Sequence, residues 1–484
     1  MRVRCWYLHF SFRIKRFFGN ISLAVALNLL VKPGWVLLEN LVQDRLGHHT
    51  FGLVAAASSL AVVVAVFGDL GLTQFTVHRL AAEEDFARQH FGTLLPLRAL
   101  LTVLALGALL VVGWLVGYQA EQLRILAAIG ASLLLTQYAM FLRAPVQGRQ
   151  HFNTDAVLSV LEKLLALGLV GGLVWGGALG LASYVGARLV AAAFTAALFL
   201  GLLRRLFGPL PHRWPRRLPA GQLLRGALPF AFIALLYGIN ERLDMVLLER
   251  LSSAREASYY AGAYRWLDAL MMYAWTVLPL FFARFAHAME QPRQQRQLLW
   301  FGQRVVAVPL LLAVAFGLFR GEVLFWQFQH SSGPELARMT LCLKVLFLNL
   351  LVHAFFAIYS TLLTSTHHQR AVSWLVSGSI VLNMGLNLLT LPQYGAVAAA
   401  INTLISAALV SGGYVWVVAR RTAVAVPWHL LARLALAFGL LCGAWYLVRT
   451  HFALTWWLET VLMSAFFAAL LPLTGLVSRR DLRL

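Results

Sequence analysis

Residues 223–251 read LLRGALPFAFIALLYGINERLDMVLLERL, one long apolar run with Glu241, Arg242 and Asp244 inside it. The length suits lipid, because a hydrocarbon core of ~30 Å takes ~20 mostly apolar residues in a helix. The three charges are what lipid excludes. The rest of the chain sides with lipid: 60% of its 484 residues are hydrophobic and only 12% charged, with a mean hydropathy of +0.74. A soluble globule of this size cannot keep so much apolar surface out of water. The chain therefore reads as an all-α polytopic membrane protein.

Fourteen runs qualify as spans, near 20–42, 52–77, 94–117, 123–143, 156–176, 179–203, 223–248, 258–283, 300–319, 340–363, 371–391, 394–419, 428–448 and 455–477. Residues 1–19 are not a secretory signal: the apolar run that follows is too long, carries Lys32 and has no small-residue cleavage site. They read as a cytoplasmic lead. Cys5, Cys342 and Cys442 are too far apart to suggest a disulfide framework or a metal site.

Basic loops stay cytoplasmic, so the placement of Lys and Arg gives an orientation. Of the 40, 27 lie in or beside the loops on the side of the N-terminus, 7 on the other side, and six within helices. Both termini are therefore expected in the cytoplasm. The formal charge of +21 is then topological arginine near anionic headgroups, and nucleic acid is not an expected partner.

The stretch LRRLFGPLPHRWPRRLPAGQLLRG (203–226) holds four prolines and six arginines and reads as a linker between two halves. The expected division is an N-lobe at 20–203, a cytoplasmic linker at 204–222, a C-lobe at 223–419, two further helices in 420–477 and a cytoplasmic tail at 478–484. With six helices per half, any repeat is parallel. DRLGHHTFGLVAAA (44–57) and ERLSSAREASYYAGAY (249–264) support one, each being a charged outer hairpin that feeds a helix of small residues. No loop is long enough for a soluble catalytic or nucleotide-binding domain.

Several chemistries drop out on residue type. The lysines are Lys15, Lys32, Lys163 and Lys344, so there is no Gly-Lys phosphate loop to burn ATP, and neither HExxH nor a DxD pair occurs. His48-His49 and His367-His368 sit at hairpin ends, where they read as interfacial rather than as ligands. No cofactor and no metal are expected.

Three stretches carry a family resemblance. DRLGHHTFGLVAAASSLAVVVAVFGDLGLTQFTVHRLA (44–81) resembles the helix 1 to helix 2 signature of bacterial polysaccharide-export flippases. LPFAFIALLYGINERLDMVLLERL (228–251) with SYYAGAYRWLDALMMYAWTVLPLFFARFA (258–286) resembles helices 7 and 8 of that family, and LNMGLNLLTLPQYGAVAAAINTLIS (382–406) its turn between helices 11 and 12, with Ala398 where glycine is more usual. The family is the O-antigen flippase-like polysaccharide transporters, in the superfamily of lipid II flippases and multidrug and toxin exporters. The resemblance implies two six-helix lobes around a central cavity open alternately to each side. It implies a cargo of undecaprenyl-diphosphate-linked glycan, moved from inner to outer leaflet, and as partners membrane lipids and a glycan polymerase or other assembly proteins.

Intramembrane polar residues should face protein or water and be paired. In helix 1, Asn28, Lys32, Trp35, Glu39 and Gln43 recur at steps of four, three, four and four, one helical face. That face is expected to line the cavity, with Lys32 ~18 Å deep beside a bend at Pro33-Gly34. Lys32 reads either as a cation for the diphosphate or as half of a structural ion pair. Arg242 at ~12 Å, Arg265 at ~10 Å and Asp268 at ~15 Å lie at matching depths below the outer hairpin. Glu241, Arg242 and Asp244 can therefore pair with Arg265 and Asp268 across it, as a structural network, a substrate contact or both.

Glu162, Lys163 and Arg188 lie ~8–12 Å from an interface, near enough for lysine or arginine to snorkel, and read either as structural or as cavity or gate residues; Lys344 reads as snorkelling. Asp69 sits near the cytoplasmic end of helix 2, where the family pattern implies a lobe-closing contact. His353 with Asn349 and Ser360, and Asn383 and Asn387 with Ser379 and Thr390, form polar stripes that either meet sugar hydroxyls or join helices. Trp35 and Trp275 either stack on substrate or pack.

Two other classes compete with a non-enzymatic flippase. A cation-coupled exporter of small amphipathic compounds tends to pair few carboxylates with an aromatic chamber, whereas six cations and six acids lie within these helices. A membrane glycan polymerase or ligase usually needs a sizeable outer loop, and the longest expected here, 320–339, is short.

Overall fold

The computed structural model describes residues 31–82, 86–148, 152–207, 220–289 and 291–477. Backbone polar groups in hydrocarbon have only one another to bond, and among the described residues the chain forms helices and no strand. Twelve of these helices are long and apolar enough to cross a membrane, so the chain is a multi-pass membrane protein. They coincide with twelve of the fourteen expected spans. The other two fall on the helix described over 31–46, here α1, and on α9 (Ala220–Leu251).

The chain divides into two compact units, Met1–Arg250 and Leu251–Leu484. The division falls after α9, one helix later than the linker at 204–222, most of which lies outside the described residues.

In the first unit α1 is followed by α2 (His48–Asp69), α3 (Leu72–Ala82), α4 (Phe86–Leu115), α5 (Ala120–Leu142), α6 (Ala144–Gly148), α7 (Phe152–Trp175) and α8 (Leu181–Phe207), then α9. α2 packs on α4 and α5, and α5 on α8. Lipid gives helices no hydrophobic drive to associate, so close packing of small residues has to serve. α2 meets this with Ala56, Ala57, Ala61 and Ala65, all buried. Val103, Leu104 and Val111 of α4 are more than half exposed, the side a bilayer would cover.

The expected span 52–77 is broken. α2 stops at Asp69 and Leu70 takes a left-handed conformation, φ 45°. The Asp69 carboxylate accepts the Thr73 amide at 3.3 Å, so it caps the start of α3 and starts a second helix where hydropathy alone shows one.

The second unit holds α10 (Ala254–His287), α11 (Pro292–Arg320), a 3-10 turn (Gly321–Phe325), α12 (Gly333–Ser365), α13 (Gln369–Tyr394), α14 (Ala396–Arg421), α15 (Trp428–His451) and α16 (Trp456–Leu473). α12 is its axis and packs on α10, α11 and α14. Met339, Cys342, Leu343, Leu346, Phe347 and Leu350, at steps of three, one, three, one and three, are closed off from solvent. Gly317 of α11 lies under the Phe347 ring, where any side chain would collide. α12 starts seven residues before the expected 340 because Ser332 and Glu335 form a capping box. The outer loop expected over 320–339 thereby shrinks to the non-helical residues 326–332.

The two C-terminal helices are bound to this unit through α11, on which both pack. Trp445 of α15 is fully buried and stacks on Phe319, with 5.9 Å between centroids and 6° between planes. Glu459 of α16, also fully buried, takes a bond from Arg320 Nε at 2.7 Å.

Candidate functional site

A group of intramembrane charges among the expected site residues lies in the first unit, on α1, α7 and α8. α1 presents Lys32, Trp35 and Glu39 half-buried, while Asn40 and Gln43 farther along are fully buried. The helix is set against α7 at Gly34, where a Cβ would lie 3.8 Å from Leu167. Across from it, α8 brings up Tyr184 and Arg188 one turn apart. The Tyr184 hydroxyl donates to Glu39 Oε1 at 3.3 Å and accepts from Arg188 Nη1 at 3.1 Å. The Arg188 guanidinium lies over the Trp35 ring, 5.8 Å from its centroid, within cation–π range. α7 adds Glu162, which accepts from the Thr136 hydroxyl of α5 at 2.6 Å, and Lys163, which interacts electrostatically with both Glu162 and Glu39. Arg188 feels the same two carboxylates.

Two acids and two cations thus balance on one wall, beside an indole. Arg188 presents a fork of donors that suits phosphate as well as carboxylate. Lys163 supplies a point charge on a flexible stem. Lys163 and Arg188, placed by sequence near an interface, join the α1 face that the spacing singled out. Asn28 lies outside the described residues.

Asp69 pairs within its own unit. Arg98 of α4, with no exposed side-chain surface, meets its carboxylate at 3.2 Å, donates to the Gly68 carbonyl and reaches Thr102 Oγ1 at 2.9 Å. One guanidinium thereby holds the end of α2.

On α9, Asp244 is buried while Glu241 and Arg242 are half-buried. At the end of that helix Glu249 and Arg250 pair at 3.1 Å, and the Arg250 guanidinium caps the Tyr118 ring at 3.9 Å. Burial, then the Glu249 charge, pushes the Tyr118 hydroxyl up to about 12. Burial also raises the Glu249 carboxyl. Arg265 and Asp268, on α10 of the second unit, are half-buried. Each of Lys32, Glu241, Arg242, Asp244, Arg265 and Asp268 is engaged by another group.

In the second unit the stripe on α13 joins helices. Asn387, fully buried, donates to Asn383 at 2.8 Å and accepts from Asn402 of α14 at 2.8 Å; Asn402 also donates to Thr390 at 2.8 Å. His353 is half-buried on α12. At the hairpin end, Glu256 pairs with Arg338 at 3.0 Å and accepts the Ala396 amide at 2.8 Å. Gly395, at φ 60°, lies so close to that carboxylate that a side chain would strike it.

Reading the sequence did not single out Arg98, Tyr184, Glu256 or the Arg320–Glu459 pair. Tyr184 carried a signal, its four-residue spacing from Arg188. The others are fastened to partners at least 29 positions away, on other helices, which no local pattern reveals.

Comparison with known proteins agrees with this architecture. No curated protein sequence matches the chain significantly. The structure resembles lipid II flippase MurJ in an inward closed conformation, with TM-score 0.73 and 13% identity over 96% of this chain and 99% of that one. It resembles an inward-facing MATE multidrug resistance transporter of the MOP superfamily, with TM-score 0.66 and 14% identity over 82% and 97%. A MOP superfamily transporter from Pyrococcus furiosus, described as having a binding pocket of reverse polarity, gives TM-score 0.54 and 14% identity over 82% and 92%. At these identities the likeness is one of fold. The model of the family described as polysaccharide biosynthesis protein matches residues 40–282, a span from the end of α1 to near the end of α10, and the chain belongs to that family.

Proposed function

We propose that the chain is a flippase. It translocates an undecaprenyl-diphosphate-linked oligosaccharide across the bacterial inner membrane by alternating access, for polysaccharide biosynthesis of the O-antigen or exopolysaccharide type. Family membership supports a role in polysaccharide biosynthesis, and the fold is one that also serves a lipid II flippase. The observation that carries the reading is the wall of Trp35, Glu39, Glu162, Lys163, Tyr184 and Arg188. Empty, its charges cancel. An incoming diphosphate meets Arg188, held by the Tyr184 hydroxyl, and Lys163 beside it, and Lys32, one turn from Trp35 on the same face, adds a third cation. The indole offers a flat apolar face to a sugar. No bond is made or broken, so the site asks for binding and release alone.

In this reading the lobes are 20–203 and 223–419, joined by the linker 204–222, and residues 420–477 travel with the second. Both termini are cytoplasmic, as the 27 to 7 charge asymmetry implies. A phosphatase fused at Gly208 would then be inactive, and activity there would reverse the orientation. A glycan polymerase that takes up the flipped product is the expected partner. The function is tested with the triple variant Lys32→Ala, Lys163→Ala, Arg188→Ala, measured for surface glycan and for abundance in the membrane. Wild-type abundance with glycan export lost is the expected result. Wild-type export by the stable triple variant would overturn the cationic mechanism.

A further inference from the structure

A cavity of about 300 Å³ lies in the second unit between α10, α11 and the turn after α16. Its construction starts at Pro309, inside α11. Proline has no N–H, so the carbonyl four residues before it, that of Val305, loses its helical donor. The Tyr273 hydroxyl of α10 supplies one at 2.8 Å, which fixes that ring as a wall. Phe301, Val308 and Pro309 complete the apolar lining. After α16, Gly475 turns the chain back at φ 66° and the Leu476 amide donates to the Leu471 carbonyl at 3.0 Å, so that Leu476 closes one side.

The charged residue in the lining is Arg304. Its Nη1 holds the Leu476 carbonyl at 3.2 Å. A second arginine flanks the same turn: a Cβ at Gly475 would come within 3.0 Å of Nη1 of Arg433, on α15. Arg304 is four residues into the expected span 300–319, ~6 Å from its edge, from which a long side chain reaches headgroup level. An apolar slot with cations at its rim selects an amphiphile with an anionic head. The residues that follow Val477, SRRDLRL, are themselves cationic, so like charge disfavours them as the occupant. Basic pockets between transmembrane helices on the cytoplasmic side suit anionic lipid headgroups.

We propose that this cavity holds one acyl chain of an anionic glycerophospholipid of the surrounding membrane, with its phosphate on Arg304 and Arg433. The bound lipid ties the end of α16 to α11. The proposal does not depend on the cargo of the protein.

The test uses the full chain purified in detergent with either phosphatidylglycerol or phosphatidylcholine added, bound lipid being counted by native mass spectrometry. Wild type is expected to retain one phosphatidylglycerol and to discriminate against phosphatidylcholine. Val308→Trp fills the slot, and Arg433→Gln removes an exposed cation; each should weaken retention about tenfold, the ~1.4 kcal/mol that a tenfold change represents. Arg433→Gln leaves the core untouched, so it carries the test if Val308→Trp fails to fold. Undiminished phosphatidylglycerol on folded Arg433→Gln, or equal retention of phosphatidylcholine by wild type, would overturn the proposal. Displacement of phosphatidylglycerol by equimolar undecaprenyl phosphate would overturn it too, by assigning the cavity to the lipid carrier.

Discussion

Two polar regions inside lipid-length helices contrast sharply: the α1–α7–α8 wall of the first unit and the α13–α14 amides of the second. In the amide region Asn383, Asn387, Thr390 and Asn402 are neutral and bonded to one another at 2.8 Å, with Asn387 and Asn402 buried. In the wall Glu39, Lys163 and Arg188 are charged and half-buried beside Trp35, and the Glu39 and Glu162 charges act on both cations. A satisfied, buried polar network fastens helices. A half-buried set of opposed charges is what the proposed function assigns to the ligand. Polarity at mid-helix therefore does not by itself mark a transport site.

The largest effect is expected in the stretch 238–251, whose place in this contrast is open to test. Their matching depths along the sequence make Arg242 and Asp268 candidates for a pair, and removing one member of a buried pair costs ~3–5 kcal/mol. Single neutralisation should lower abundance, and Arg242→Asp with Asp268→Arg should restore abundance and transport. An abundant but inactive Arg242→Ala would move this stretch to the side of the poised charges.

The next effect concerns the wall. Lys163→Ala with Arg188→Ala removes charge-assisted bonds of ~1.5–3 kcal/mol each, so export per molecule should fall about 100-fold while abundance holds. A fall in abundance with unchanged export per molecule would make the wall a fastening like its counterpart.

Asn387→Leu strands the amides of Asn383 and Asn402 and should cost ~1–3 kcal/mol of stability, read as a lower unfolding temperature in detergent with normal export per molecule. Loss of export at unchanged stability would place α13 in the substrate path. The smallest effect is that of Tyr184→Phe, which removes a hydroxyl shared by Glu39 and Arg188. At ~0.5–1.5 kcal/mol for such a bond, export should drop severalfold at normal abundance, and no change would show that Arg188 is held without it.

The class, the expected spans and the face of α1 were legible because each is a local property. Hydropathy over ~20 residues marks a span, and steps of three and four mark a face, so Lys32, Trp35 and Glu39 could be placed together before any fold was known. The Asn383–Asn387 stripe was legible too, with sugar contact and helix joining both open, and the bond from Asn402 shows that it joins α13 to α14. Helix starts were less so. Hydropathy runs through Asp69 to 77, but α2 ends where Leu70 turns left-handed, and the Asp69 carboxylate caps the Thr73 amide at the start of α3.

By itself the sequence determined a multi-pass helical membrane protein with charges confined to few faces, because the cost of polar groups in hydrocarbon acts on every residue where it stands. Tertiary structure decided which charge meets which. Arg98 closes on Asp69, Arg320 on Glu459 and Arg188 on Trp35 and Tyr184. The Arg98, Arg320 and Trp35 contacts join residues at least 29 positions apart on different helices, at distances of a few ångström that depend on how whole helices pack, and no short-range pattern along the chain encodes that packing.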